Sequence, residues 1–122
     1  MKILLKVIAF FFLLTNFSNA DLTKPNTSLK PFDVLMIQLN SLQNNNVPYK
    51  DAGIEQTWEF AHPSNRIFTG PLKKFTSMMY SSSYSILLDH QDHKIILVNK
   101  NQEFAFFVIE ICCQFFLYQC SV

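Results

Sequence analysis

The densest group of side chains able to do chemistry is His90-Gln91-Asp92-His93. Two histidines three apart can share one helix face, and a carboxylate between them invites a metal. A catalytic zinc, however, needs three protein ligands and a fourth position for water. No fourth group is evident, and the stretch reads as a solvated loop entering a strand, so no metal and no cofactor is assigned. Tyr84, Asp89 and His90, with Tyr80 behind them, are the groups that could shuttle a proton in a pocket. Their spacing does not show that they converge.

A second group lies in FAHPSNRIFTGP, where proline and glycine mark helix ends. Asn65 and Arg66 can bond exposed helix termini and carbonyls. The first reading is a structural joint. The second is a ligand contact, in which the planar fork of Arg66 makes it the best anion partner, with Asn65 beside it. Glu55 and Glu59, four apart, read as a solvated helix face rather than an acid–base pair. Two glycines, Gly53 and Gly70, leave no glycine-rich phosphate loop, and no nucleophile elbow is present. Asn26-Thr27-Ser28 is a glycosylation sequon in a polar stretch.

The three cysteines are late: Cys112, Cys113 and Cys120. An odd number leaves one unpaired or pairs it between chains. Adjacent cysteines make a poor bridge, and the spacing is not that of a zinc site. Small buried apolar residues are the expectation for all three.

The elements that must position these residues begin after an N-terminal segment of a different kind. Lys2 and Lys6 lead an apolar run from Val7 to Leu14, closed by Ser18-Asn19-Ala20. This is the pattern of a secretory signal peptide cut after Ala20. An anchor formed by residues 3–19 is the alternative, but the run is shorter than the roughly 20 residues a bilayer needs. No stable membrane span is expected after cleavage. Setting Lys2 and Lys6 aside leaves 8 Lys plus Arg against 9 Asp plus Glu. A balance so near zero, with no basic stripe, excludes nucleic acid as a partner class.

Residues 21–30 read as a flexible lead, and residues 31–122 as a single α+β domain. Ser28 can cap the first helix, and Pro31 suits its first turn. Phe32, Leu35, Met36, Leu39 and Leu42 give it an apolar face, with Gln38 on the border. Asn44-Asn45-Asn46-Val47-Pro48 ends it. A second helix is expected over 51–61, with Ile54, Trp58 and Ala61 inward, and His62-Pro63 stops it. A third starts at Thr69-Gly70-Pro71 and carries Leu72, Phe75 and Met79. Residues 94–98 and 103–113 are rich in Ile, Val and Phe and read as strands, joined by a turn at 99–102. Helices first and strands after argue α+β.

GIEQTWEFAHPSNRIFTGPLKKFTSMM followed by YSILLDH resembles the family known as domain of unknown function 4864, over about residues 32–98. Phe60, Ala61, Pro63, Asn65, Arg66, Thr69, Gly70, Pro71, Leu72, Phe75, Met78, Tyr84, Leu87, Leu88 and His90 carry the likeness. The resemblance implies a nuclear transport factor 2-like (cystatin-like) cone, in which helices pack on a curved antiparallel sheet enclosing a pocket. It supplies no catalytic residue to transfer, and a fold of this kind hosts both enzymes and binding modules. His62 stands where the family has a small residue. The end of the chain, ICCQFFLYQCSV, departs from the family, and strands of about 5–6 residues leave room for only two or three. An incomplete cone is therefore expected, from a shortened chain, with an open sheet edge that invites a homodimer. The functional expectation is a secreted or luminal binding module for a small apolar ligand or a partner protein. The alternatives are a cone-type pocket enzyme of the isomerase or dehydratase kind, and a truncated product without independent function.

Overall fold

The computed structural model describes residues 21–111 and the backbone of 114–121. The expectations for the signal segment and for the three cysteine side chains lie outside this part. The order is α1 (Pro31–Gln43), α2 (Ala52–Glu59), α3 (Pro63–Thr69), α4 (Leu72–Met79), a 3-10 turn (Ser85–Leu87), then β1 (His93–Lys100), β2 (Phe104–Ile111) and β3 (Gln114–Ser121). Helices precede an antiparallel sheet of order β1-β2-β3, which is the expected α+β arrangement.

Pro31 does sit in the first turn of α1, but the cap is Lys30, not Ser28. The Asp33 carboxylate accepts the Lys30 N–H at 3.0 Å, which closes the turn without a serine. Ser28 is taken up locally, its N–H donating to the Asn26 side chain at 3.1 Å. Leu35, Leu39 and Leu42 are buried as their spacing predicts, whereas Phe32 is 50% exposed. Gln38 goes fully inside. Its Nε2 donates to the Thr57 carbonyl at 3.2 Å, and its Oε1 has no partner.

α2 packs on α1 at very close range, and Gly53 permits it. A Cβ there would lie 2.0 Å from the Ser41 carbonyl oxygen. This approach buries Gln56 and Thr57 and leaves Glu55 and Glu59 half-buried, not on a solvated face as expected. Each carboxylate has a partner. Tyr49 Oη donates to Glu55 at 2.8 Å, and Lys24 Nζ lies 3.0 Å from Glu59. The lead segment expected to be flexible is fastened here too. Gln56 and Thr23 exchange two hydrogen bonds of 2.8 Å.

The joint contains a helix of its own, α3, which local spacing did not suggest. His62 stops α2 and at once caps α3, its Nδ1 accepting the Ser64 N–H at 3.2 Å. Pro63 occupies the first turn, where its missing N–H costs nothing. Gly70 ends the helix at φ 76°, a conformation that favours glycine. α4 then buries Phe75 and Met79 as predicted.

Two apolar clusters result. Leu35 and Leu39 of α1 pack with Ala105, Phe107, Ile109 and Ile111 of β2. Leu42, Ile54, Phe75 and Met79 pack among the helices, and Leu87 borders both clusters. β2 alternates, so Phe104, Phe106, Val108 and Glu110 point away from the helices and are only half-buried. β1 pairs with β2 from His93 opposite Ile111 to Lys100 opposite Ala105, with a register shift between Leu97 and Asn99. The turn falls at 101–103, slightly later than predicted. Asn101 Oδ1 accepts the N–H groups of Glu103 and Phe104 at 2.8 and 2.7 Å. β3 pairs with β2, Ile111 standing opposite Gln114.

Candidate functional site

α1 begins at Pro31 and packs Leu35 and Leu39 on β2, while β1 is exposed from Ile96 onward. A groove of about 380 Å³ remains between the start of α1 and the sheet. Buried Ala105 and Phe107 form its floor, Ile95 adjoins them, and Phe32 and Leu97 are its open walls. The Phe32 and Phe107 rings lie 6.2 Å apart at a 52° tilt. Pro31, Lys30 and Lys100 complete the described lining, and among the described residues no acidic side chain contributes to it. A smaller depression of about 260 Å³ lies between the lead segment, α1 and α2.

None of the residues singled out for proton transfer lines either depression. Tyr84 is exposed beside the 3-10 turn. Asp89 is a structural tie. Its carboxylate accepts the Asn45 N–H at 3.0 Å and Asn46 Nδ2 at 3.1 Å. Its own N–H donates to the Leu42 carbonyl at 2.8 Å. His90 is buried, with Nδ1 2.8 Å from the Leu87 carbonyl and Nε2 2.8 Å from His93 Nδ1. A carbonyl only accepts, so His90 Nδ1 donates, and in the neutral ring its Nε2 accepts the proton of His93 Nδ1. The rings meet edge to face at 5.0 Å. Burial, and then the neighbouring His90, hold the His93 pKa below its ordinary value, with Asp92 opposing them. Among the described residues no three His, Cys, Asp or Glu side chains cluster to hold a metal ion.

Arg66 acts in the joint as its residue type predicts. Its Nη2 donates to the Trp58 and Glu59 carbonyls at 2.8 Å each, and its Nε to the Ala61 carbonyl at 3.2 Å. These carbonyls lie at and just past the end of α2, where helical partners run out; that of Trp58 also accepts the Ala61 N–H at 3.0 Å. The guanidinium also stacks 3.9 Å from the centre of the Trp58 ring. Asn65 is exposed on α3, its carbonyl accepting from Thr69 Oγ1 at 2.9 Å. Asn26 is exposed and folded into a local turn with Ser28.

The sequence reading missed Asn45. This side chain is fully buried. Its Oδ1 accepts the Ile54 N–H at 3.0 Å, its Nδ2 reaches Asp51 at 3.3 Å, and its carbonyl accepts the Gly53 N–H at 2.9 Å. Tyr80 Oη donates to the same Asp51 carboxylate. That hydrogen bond, followed by burial and the charge itself, raises the Tyr80 pKa. Asp51 and Asp89 both adopt positive φ, 64° and 52°, which aspartate tolerates better than most residues. The asparagine run looks like a helix breaker, and the only local hint of a further role is its proximity to Asp51.

No helix among the described residues is long and apolar enough to cross a membrane. No family model, no curated protein and no solved structure matches the chain.

Proposed function

We propose that the chain is a small secreted or luminal binding module that takes an apolar ligand in the groove between α1 and the sheet and catalyses no reaction on it. The supporting observation is the groove itself: a buried apolar floor of Ala105 and Phe107 with Phe32 and Leu97 open to solvent, on the helix-facing side of the sheet beside the start of α1. Concave sites of this size lined by aliphatic and aromatic side chains are where ligands bind. Tyr84, Asp89 and His90 stand away from it and are engaged elsewhere or lie on the surface, which favours binding over proton transfer.

In the same reading the fold is a partial nuclear transport factor 2-like cone of the domain of unknown function 4864 kind. Helices cover one face of an antiparallel sheet, and the groove lies on the face where such a cone keeps its pocket. Secretion rests on the N-terminal lysines, the short apolar run and the small residues at Ala20.

A titration with 1-dodecanol, followed by methyl chemical shifts, tests the binding function. Ile95 and Leu97 are expected to move, and Ile54 in the helical cluster is not. Unchanged shifts at Ile95 and Leu97 at saturating alcohol would sink the proposal.

A second reading, pairing with another strand at the β1 edge, is favoured by Ile96, Leu97 and Val98, which are 40%, 55% and 58% exposed. A homodimer through this edge is its simplest form. The register shift next to Val98 works against it, since bulges blunt sheet edges.

A further inference from the structure

We infer that the ligand of this groove is a single-chain anionic amphiphile, a fatty-acid-like carboxylate with its head between Lys30 and Lys100. The inference rests on the groove being a ligand site. It adds what the rim selects.

The lining is divided by polarity. Its apolar part, Phe32, Leu97 and Phe107 above all, offers nothing that can hydrogen-bond through a side chain. Its charged part consists of two cations. The acidic residue nearest in sequence to Lys30, Asp33, is turned to the Lys30 backbone N–H. Neither ammonium group belongs to an ion pair among the described residues. Both lysines are exposed, so a ligand that is apolar throughout leaves their charges to water and gains nothing from them. A ligand with a cationic head would be repelled. A carboxylate next to these apolar walls is attracted more strongly than in open water, because the local dielectric is lower.

The volume gives the scale of the chain. A methylene fills about as much space as a liquid water molecule, roughly 30 Å³. A groove of 380 Å³ therefore holds an alkyl chain of roughly a dozen carbons. The groove is open on one side, so one flexible chain fits it better than a rigid ring system that needs a closed cavity.

Calorimetry on the full chain with laurate and dodecyltrimethylammonium below their micelle concentrations, and 1-dodecanol below its solubility limit, separates the possibilities. Laurate is expected to bind roughly tenfold tighter than the alcohol, and the cation more weakly than either. The preference should shrink as salt is added. In the Lys30→Met/Lys100→Met double variant, laurate should lose its preference over the alcohol. Far-ultraviolet circular dichroism checks that this variant folds. Equal binding of laurate and alcohol to the native protein overturns the inference and leaves the apolar groove standing. Retention of the preference in the double variant also overturns it. Failure of all three ligands to bind overturns both the inference and the binding function beneath it.

Discussion

The clasp around Asn45 and the groove beside Phe32 handle the same physical problem in opposite ways. At the clasp, one polar side chain is taken out of water and partnered: buried Asn45 bonds Asp51 and nearby backbone groups, and the more exposed Asn46, Asp89 and Tyr80 close the network around it. At the groove, the apolar side chains of Phe32 and Leu97 are left open to solvent among the described residues. Burying an unpaired polar group is expensive, so the clasp tolerates little change and its purpose is internal. Exposing a few apolar side chains is cheap for a monomer, so the groove can change without loss of the fold and its purpose lies outside the chain. Side chains whose removal costs stability and side chains whose removal costs binding should therefore be different sets.

The largest effect is expected at Gly53. Gly53→Ala places a methyl against the Ser41 backbone and should cost more than about 4 kcal/mol, or prevent folding. Urea denaturation that found it near-neutral would mean that α1 and α2 are not held this close. Asn45→Ala strands the Ile54 N–H and should cost about 2–3 kcal/mol in the same assay. Arg66→Ala should cost about 1–2 kcal/mol and shift Trp58 fluorescence, with lysine restoring less than half of the loss, since it lacks the fork. Leu97→Glu, on the groove, should change stability by no more than about 0.5 kcal/mol yet abolish uptake of dodecanol. A variant that lost both together would erase the distinction between the two regions.

The smallest effect is that of His93. Its folded pKa lies below the ordinary 6.5, so the unfolded chain takes up the proton first as the pH falls. Stability should be flat above pH 6.5, decline below it, and level off once the folded pKa is passed. His93→Gln should flatten that part of the profile in denaturation series at stepped pH.

Much of the frame was legible in the chain. Leu35, Leu39 and Leu42 fall at helical spacing and are buried, and the switch at His93 from helical to strand texture is where the sheet begins. His62-Pro63 reads correctly as a stop. It conceals a start, because the same proline suits a first turn as well as it ends the preceding helix. Phe32 has the right spacing for the core, but it sits at the helix end where the sheet falls away, and periodicity carries no information about where a neighbouring layer stops. The clasp was hidden for a related reason. Asn45 and Asp89 are 44 positions apart, and each looks locally like a turn residue. The groove joins the first turn of α1 to β1 and β2, so it exists only after the chain has folded.

The span of the clasp also orders events during synthesis. Every residue it needs has been made once Asp89 has emerged from the ribosome, before any strand residue has. The helical half can thus close while the sheet is still in the exit tunnel. Leu35 and Leu39 must then wait, uncovered, for β2. A nascent chain arrested with His90 just outside the exit tunnel should already hold the clasp and yet remain a strong client for chaperones, and it should lose that stickiness only when Phe107 and Ile109 come out to cover it.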